Sequence, residues 1–404
     1  MLKKYGLLLG GFGFSYFGNW IYLIALNLLV LDLTGSAAAV AGIFIVGPVA
    51  RIFTNIFAGS IIDRANKRKL MMTADILRGL LVCLVPFMHS IWIIYLILFI
   101  SNMAGAFFGP SSTYYITKYV DDEDRRKFNA WLGMMNSGSF LVGPALAGVL
   151  ILMIGTHWTI IINGLTFFIC VFAIYLLPDI DANARKVKAV REKITLRTIS
   201  EDFQVVKRFI LTDRIFFKIY VAFQVALMIA FALDSQEVTF LKQNLALSDQ
   251  TYGFMVSVAG VGSLIGATVA ANLTKRLSLK SYVTLGLLLT MVGYTAFYAS
   301  FNFWSALLAF ICLGFFAAFS NAGYETFYQK NVPTDIMGRF GSLASMFQSI
   351  LQIMFTFLLG VSAELFTLQY SAIVFGCISI ACTLVLLFVV YANKSTNHFK
   401  ETPI

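Results

Sequence analysis

The sequence predicts an all-α polytopic membrane protein that crosses the bilayer about twelve times. Two observations on composition and one on charge placement support this fold class. Hydrophobic residues make up 59% of the 404 residues, charged residues only 12%, and the mean hydropathy is +0.81. A soluble protein of this length would have about twice that fraction of charged residues. The charges that are present fall between long apolar segments, as expected for a chain that crosses a membrane repeatedly.

The first half of the chain contains six apolar segments of span length. A transmembrane helix needs about 20 apolar residues. Predicted spans 1 to 6 are residues 7–31, 40–58, 70–88, 91–115, 130–154 and 159–177. Lys3 and Lys4 precede span 1 like the start of a signal peptide, but no small-residue cleavage site follows, so we expect a helix. Pro178 ends this half, and residues 1–178 are predicted to form one helical bundle.

A polar segment, residues 179–213, separates the first half from the second. Ile199, Phe203, Val206 and Ile210 recur in it at helical spacing, which predicts an amphipathic helix lying on the membrane surface. Predicted spans 7 to 12 follow at residues 215–240, 252–273, 282–299, 303–328, 340–363 and 371–391. The sequence therefore predicts a second six-helix bundle over residues 214–392 and a tail over residues 393–404.

The lysines and arginines set the predicted orientation. They account for the net charge of +10, and they fall in loops on alternate sides of the apolar segments. This asymmetry is typical of the positive-inside rule and argues against a nucleic-acid partner. The linker and both termini are therefore expected in the cytoplasm. The predicted location is the plasma membrane of a bacterium, where the lipid bilayer is a partner and a monomer is the simplest assembly.

The strongest motif lies at residues 59–70, GSIIDRANKRKL, between two apolar segments. A lipid-facing helix could not contain so many charges, so the motif is predicted to be a short cytoplasmic turn. Its defining residues are Gly59, Asp63, Arg64, Lys67, Arg68 and Lys69. The pattern resembles the loop between helices 2 and 3 of the major facilitator superfamily of secondary transporters, which usually has a second glycine where Asn66 stands. The alternative is an ordinary positively charged loop of any multi-spanning protein.

This resemblance implies the major facilitator fold, with twelve helices in two six-helix pseudo-symmetric bundles. A second motif, on span 5, points to one part of the family. It consists of Gly138, Gly143, Pro144, Ala147 and Gly148, and it resembles the antiporter motif of facilitator-type exporters. In the family this face packs on helix 8, where Gly260, Gly262 and Gly266 are the expected partners here. The motif favours outward transport, and the alternative is generic packing of small residues.

Further segments resemble the drug:proton antiporters that include macrolide-efflux and enterobactin-export proteins. They are GNWIYLIALNLLVLDLTGS at 18–36, ADILRG at 74–79, GAFFGPSS at 105–112, NAWLG at 129–133 and NVPTDIMGRFGS at 331–342. That branch often has an aspartate in helix 1 where Asn19 stands. An amide cannot take up and release a proton, so Asn19 remains a candidate for substrate contact while proton coupling must lie elsewhere.

Three carboxyl groups within predicted spans are the candidates for proton coupling or substrate binding. Asp234 and Glu237 are three residues apart on span 7 and therefore share a helix face, and Glu325 lies on span 10. Ionisable residues inside a span are costly and usually functional. The alternatives are that Glu237 is only interfacial and that Glu325 pairs structurally with a cation.

A cytoplasmic gate is the predicted role of a second group of charges, in which Arg51, Asp75 and Arg78 join the motif residue Asp63. Asp75 and Arg78 are three residues apart and can pair on their own helix. The family resemblance places Asp63 opposite the start of helix 11, near residues 338–339. The alternative is that Arg51 extends to the interface and the other two form a local pair without a gating role.

Aromatic residues make up 15% of the chain, which suits a cavity for amphipathic or cationic substrates. Those on helices that line the family's cavity are Trp20, Tyr22, Phe107, Phe108, Tyr114, Tyr324 and Phe327. No catalytic constellation, phosphate loop or metal-ligand spacing is visible, so neither an enzyme nor a cofactor is expected. The sequence predicts proton-coupled efflux of amphipathic drugs or small metabolites. The alternatives are import or uniport of a small solute, or a non-transporting receptor on the same fold.

Overall fold

A computed structural model of the protein describes residues 2–180, 196–273, 276–333, 336–392 and 399. Within these ranges the side chains at 2–3, 55–64, 122, 126, 130, 196–202, 337–339 and 342 fall outside the description. The described residues are almost entirely helical and include no β-strand. The predicted all-α fold class is therefore confirmed.

Five helices form the first half of the chain. They are α1 (Leu2–Thr34), α2 (Ala37–Arg64), α3 (Lys67–Leu84), α4 (Ile91–Tyr119) and α5 (Asp122–Tyr175). The last of these has 54 residues and contains predicted spans 5 and 6. It breaks at Gly155, whose φ of 82° and ψ of 166° are open to glycine but strained for other residues. A single residue thus replaces the loop expected between these two spans.

The second half begins with the predicted amphipathic segment and continues with the remaining spans. Its helices are α6 (Leu196–Thr212), α7 (Arg214–Asp234), α8 (Glu237–Thr239), α9 (Asp249–Leu273), α10 (Leu279–Tyr298), α11 (Phe303–Asn331), α12 (Met337–Leu365) and α13 (Leu368–Ala392). Eleven helices of the described chain are long and apolar enough to cross a membrane. Because α5 contains two spans, the expected total of twelve is met.

The prediction of span 7 as one continuous helix is wrong. Helix α7 ends at Asp234, and Ser235 and Gln236 separate it from the single turn of α8. A π-helical turn, Phe240–Asn244, follows directly. The break falls at four consecutive polar residues, 234–237, which the apolar residues on either side led us to include in one span. Asp234 and Glu237 therefore belong to two different helices.

The predicted loop at residues 59–70 is mostly helical, and the charged segment 121–127, which we also expected to be a loop between spans 4 and 5, is helical from residue 122. Helix α2 continues to Arg64 and α3 starts at Lys67, while α5 starts at Asp122. Charged side chains are solvated once a helix leaves the hydrocarbon, so a change from apolar to charged sequence ends a span without ending the helix. These loop boundaries were wrong for that reason.

Asn66 organises the two-residue turn between α2 and α3. Its side-chain oxygen accepts the Lys69 backbone N–H at 2.9 Å and thereby caps α3. Its amide nitrogen donates to both carboxylate oxygens of Asp179, at 2.7 and 2.9 Å. The turn is thus fixed to the segment that follows α5. Glycine, which the superfamily usually has at this point of the motif, could make neither contact.

The contacts divide the chain into two compact units. The first comprises residues 1–190 and 247–257, and the second comprises residues 191–246 and 258–404. In the first unit, Tyr5, Leu8 and Phe12 of α1 pack with Phe128 and Cys170 of α5 in a buried core. The bundle limits drawn from the sequence, residues 1–178 and 214–392 with a linker between them, stay a prediction.

The predicted amphipathic helix is present as α6 in the second unit. Val206 is buried, and its apolar face lies over a groove formed with Phe340 and Phe347 of α12 and Phe217 of α7. Phe203 is about half exposed at the edge of the groove. Ile199 lies outside the described side chains. The placement of this helix on a membrane surface stays a prediction.

Close helix packing in the second unit depends on glycines of α9. A Cβ added at Gly262 would lie 2.6 Å from the carbonyl oxygen of Ile311 in α11, and Gly266 contacts Phe315 one turn further along. The predicted packing of Gly262 and Gly266 on helix 5 is therefore wrong. Small residues occur wherever helices approach closely, so a glycine stripe does not identify its partner.

Replacing Gly262 with valine should destabilise the protein by about 1–3 kcal/mol, because the side chain would overlap the backbone of α11. The matched control is Ala267→Val on the same helix, where the residue is exposed. Thermal unfolding in detergent should show a lower Tm for the first variant and a nearly unchanged Tm for the second. Equal melting temperatures would contradict the close contact between α9 and α11.

Candidate substrate cavity and carboxylate pair

The first unit contains a cavity of about 670 Å³ among α1, α2, α3, α4 and the second half of α5. Its polar lining consists of Asn19, Tyr22, Arg51, Arg78, Ser101, Asn102 and Asn163. Its apolar walls include Trp20, Leu23, Val82, Leu98 and Phe167. A pocket of this size with a few polar groups on apolar walls is suited to a small organic molecule.

A second cavity of about 400 Å³ shares three lining residues, Asn19, Arg78 and Gly105, with the first. It lies beside the N-terminal part of α1 and the first turns of α5. Its polar lining adds Ser15, Tyr16, Ser112, Thr113, Thr117, Arg125 and Asn129. The two cavities together follow α1 along much of its length.

Helical periodicity explains how the sequence builds this lining. Phe12, Ser15, Tyr16, Asn19 and Leu23 recur every three or four residues, so they share one face of α1. A similar stripe of small and polar residues lines the cavities from α4, and it consists of Ser101, Asn102, Gly105, Gly109, Ser112 and Thr113. We did not predict the α4 stripe from the sequence, although its spacing was visible there.

Arg78 lies at the junction of the two cavities. Its Nη1 donates to Asp75 Oδ1 at 3.3 Å, and its guanidinium carbon lies 4.1 Å from the centroid of the Phe167 ring. The Asp75 side chain is fully buried and that of Arg78 is 19% exposed. The predicted local pair of Asp75 and Arg78 is therefore present. Arg78 also lines both cavities beside Asn19, eleven residues after the start of α3. Its role in a cytoplasmic gate stays a prediction.

The other gate residues are only partly visible. Arg51 lines the larger cavity from α2. The side chains of Gly59, Asp63 and Arg64 lie outside the described residues, and so do those at 338–339. The predicted link between Arg51 and Asp63 therefore stays a prediction.

Lys67 and Arg68 have local contacts at the start of α3. The Lys67 ammonium lies 4.8 Å from the centroid of the Tyr114 ring on α4. The Arg68 guanidinium donates to the backbone carbonyls of Ile174 and Tyr175 at the end of α5. These basic residues therefore bind α3 to its neighbours within the first unit.

The antiporter-like motif on α5 divides into residues that pack closely and one that does not. A Cβ at Gly143 would lie 2.6 Å from Trp20 Cβ, so this glycine lets α1 approach α5. Gly148 lies against Gln250 and Gly253, and the Pro144 carbonyl is close to the same Gly253. A Cβ at Gly138 would meet nothing within 4 Å. The partner of the motif on α9 is therefore its first turn, residues 250–253, and not the glycines further along.

Asp234 and Glu237 form a carboxylate pair in the second unit. Asp234 accepts a hydrogen bond from the hydroxyl group of Tyr294 on α10, and the Glu237 side chain is buried close enough to interact with it. Tyr298, one turn further along α10, donates to the Leu233 backbone carbonyl and fixes the end of α7. No lysine or arginine of the described chain forms an ion pair with either carboxyl group.

Glu325 is not part of this pair. Its neighbour Tyr324 stacks on Phe223 of α7 with ring centroids 4.7 Å apart. Phe223 precedes Asp234 by eleven residues, which is about 16 Å along a helix. Glu325 is exposed and has no ion-pair partner among the described residues. Asp234 and Glu325 are therefore two separate candidate sites, and the role of each stays a prediction.

These features define a class of protein. An all-helical chain with enough apolar helices to cross a membrane repeatedly, and with a polar cavity inside one unit, has the architecture of a membrane transporter. Among the described residues no group of three or more His, Cys, Asp and Glu side chains is placed to hold a metal ion.

Comparison with known proteins identifies the family. The family model of the Major Facilitator Superfamily matches residues 8–239 and 237–403. The chain belongs to this superfamily and is one of its membrane transporters. The predicted fold, twelve transmembrane helices in two six-helix bundles, is confirmed with it.

Similar proteins come from several bacteria. An uncharacterised transporter of this superfamily, YfiS of Bacillus subtilis, is 24% identical over 386 residues, which cover 92% of this chain and 90% of that protein. The multidrug efflux pump Tap of Mycolicibacterium fortuitum is 24% identical over 81% of this chain and 82% of its own length. The multidrug resistance protein MdtH of Cronobacter sakazakii is 27% identical over 44% of each chain.

Solved structures share the fold at low sequence identity. A POT family transporter, in complex with a thioalcohol-conjugated peptide, has a TM-score of 0.76 at 12% identity and 97% coverage of both chains. A bacterial homologue of the human lysosomal transporter Spinster, inward-facing and unoccupied, has a TM-score of 0.69 at 15% identity and 98% coverage of both chains.

The two ion pairs of the first unit should differ in their effect on stability. Asp75→Asn leaves the Arg78 cation without its counterion in a low-dielectric site, which costs about 3 kcal/mol. Asp121 pairs with Lys4 at a shorter 2.6 Å, but both side chains are more than half exposed. Hydrogen bonds from Lys4 and Tyr5 hold the pKa of the Asp121 carboxyl below its usual value. Because both of its side chains are exposed, the Asp121–Lys4 pair should nevertheless contribute less to the stability of the protein than the Asp75–Arg78 pair.

Thermal unfolding of Asp75→Asn and Asp121→Asn at neutral pH measures this difference. We expect the first substitution to lower the Tm by several degrees and the second to have a much smaller effect, although its ion pair is the shorter. The result would be contradicted if Asp121→Asn were the more damaging substitution.

Proposed function

We propose that the protein is a proton-coupled exporter of amphipathic drugs or small metabolites that works by alternating access. The observation that supports proton coupling is the carboxylate pair of the buried Glu237 and the partly buried Asp234, which has no ion-pair partner among the described residues. Outward transport is supported by relatives named for multidrug efflux or resistance, Tap and MdtH. It is also supported by the antiporter-like motif on α5.

The chemistry of the pair suits proton exchange. Two carboxylates in one desolvated site repel each other, so a single proton held between them leaves only one buried negative charge. The Tyr294 hydroxyl donates to Asp234 and can stabilise that remaining charge. Because the pair lies at the break between α7 and α8, a change in backbone geometry there would alter its solvation and release the proton. Glu325 is a second candidate, separate from the pair.

Coupling requires that substrate and proton each weaken the binding of the other. In this scheme the cavity of the first unit, with Asn19 and Arg78, contacts the substrate, while the carboxylate pair of the second unit binds the proton. A cytoplasmic gate remains the proposed role of the motif at residues 59–70. The contacts of Lys67 and Arg68 with α4 and α5 support it, because they tie this turn to the rest of the first unit.

The remaining parts of the proposal concern the cellular setting. The basic linker and termini favour a cytoplasmic location for both ends of the chain in a bacterial plasma membrane. A monomer is the proposed assembly. An importer or uniporter would differ in a simple way, since loss of the protein would impair growth on a nutrient instead of increasing sensitivity to a toxic compound.

Adding a substrate to the purified protein should release protons. The measurement uses a pH electrode in weakly buffered detergent solution and a panel of amphipathic cations, amphipathic anions and macrolides. We expect release at intermediate pH that fades at alkaline pH, where the pair has already lost its proton. Asp234→Asn should abolish most of the release, whereas Glu123→Gln, at the exposed start of α5, should leave it unchanged.

The Glu325→Gln variant separates the two candidate sites. Loss of release in this variant alone would move the proton site from the pair to Glu325. If Asp234→Asn and Glu325→Gln both retained full release and an unchanged pH dependence of transport, proton coupling through these carboxyl groups would be wrong. Binding without release from the unaltered protein would indicate uniport or a different coupling ion.

A further inference from the structure

We infer that the cavity of the first unit binds an amphipathic organic anion. The inference rests on the proposed function as a transporter and narrows the class of its substrate. It departs from the cationic substrates that the aromatic content of the sequence suggested, because it depends on the charges that line the cavity.

The first argument is the balance of charge. Arg51 and Arg78 both line the cavity, and no aspartate or glutamate is among its described lining residues. Asp75 neutralises one of these two charges through its contact with Arg78. Arg51 has no ion-pair partner among the described residues. One net positive charge therefore faces a site with apolar walls, where its attraction for an anion is stronger than in water.

The second argument is the set of hydrogen-bonding groups left without partners. Tyr22 Oη, Arg78 Nε and Asn163 Nδ2 are buried atoms of residues that line the same cavity, and they make no hydrogen bond to any described residue. Arg78 Nε and Asn163 Nδ2 can only donate, and the Tyr22 hydroxyl is able to. The Asn163 oxygen already accepts from Thr166 Oγ1 at 3.2 Å, which leaves Nδ2 as the unpartnered group of this amide.

Unpaired buried donors are costly unless a ligand or water satisfies them. A carboxylate or sulfonate accepts several hydrogen bonds at once and would satisfy these donors together with the guanidinium groups. An organic cation would face two arginines and find no ionised acceptor among the described lining residues. The apolar walls formed by Trp20, Leu23 and Phe167 would take the hydrophobic part of the ligand.

The adjoining cavity has the same character. Its described lining includes Arg125 and several hydroxyl groups but again no carboxylate. Arg78 faces both cavities, so an anion could pass from one to the other without losing contact with this guanidinium. The basic lining of the first unit thus contrasts with the acidic pair, Asp234 and Glu237, of the second unit.

Two dyes with the same ring system and opposite charge test the inference directly. Fluorescein is anionic and rhodamine 123 is cationic at pH 8. Fluorescence anisotropy on the detergent-purified full chain measures the Kd of each dye in the absence of any ion gradient. We expect fluorescein to bind about tenfold more tightly than rhodamine 123. Equal affinities, or tighter binding of rhodamine 123, would overturn the inference.

Substitutions locate the binding site. Arg51→Gln should weaken fluorescein binding about tenfold, since it removes a charged hydrogen-bond donor, and should leave rhodamine 123 unaffected or bound more tightly. Arg51→Lys should restore part of the affinity. The matched control is Arg214→Gln, which removes one exposed positive charge at the start of α7. Arg78→Gln should act like Arg51→Gln, and Arg51→Gln alone decides the question if the Arg78 variant does not fold.

The lipid content of the sample identifies the source of the natural anion. In nanodiscs, weaker fluorescein binding with phosphatidylglycerol than with phosphatidylcholine would support an anionic lipid headgroup as occupant, and equal binding would support a soluble anion. Unchanged fluorescein affinity in Arg51→Gln would overturn the inference in either case. Because no proton is measured, anion binding without proton release would disprove the proposed coupling and leave this inference intact.

Discussion

The arrangement of the first unit depends on how a guanidinium group is accommodated halfway along an apolar helix. Arg78 could not face lipid without a large cost in solvation. It is held by the Asp75 carboxylate, by the face of the Phe167 ring and by contact with two cavities. α1 and α4 line the same two cavities as this group. The cavity and the buried ion pair therefore both follow from the need to keep the Arg78 guanidinium away from lipid.

The two units solve the problem of buried charge in different ways. The first unit surrounds its cations with amides, hydroxyl groups and space for a ligand, whereas the second unit places one buried and one partly buried acid beside a tyrosine. Neither arrangement maximises stability, since apolar side chains of similar size would avoid the desolvation cost. Charged groups in such sites are usually functional. The arginines of the first unit and the carboxylate pair of the second unit are therefore the main candidates for groups that bind the substrate or the proton.

The sequence predicted the helices well and the environments of their side chains poorly. Span positions follow from length and hydrophobicity, so nearly every predicted span lies within an observed helix. The contacts of Gly262 depend on neighbouring helices, which hydrophobicity does not describe. Asp75 and Arg78 were identified as a pair from their spacing, but only the structure placed Arg78 beside Asn19. The spacing of residues along a helix predicts which side chains share a face, but it does not predict which neighbouring groups that face contacts.

The break at Gly155 has a consequence for how the chain enters the membrane. The two halves of α5 are each long enough to span the bilayer, yet only one residue between them departs from helical geometry. A connection of one residue is too short for the two halves to insert independently. The second half therefore cannot stay outside the membrane after the first half has entered the lipid. We expect the cellular insertion machinery to receive these two segments as a single helical hairpin. The biogenesis of the first unit would then depend on the single glycine at this break.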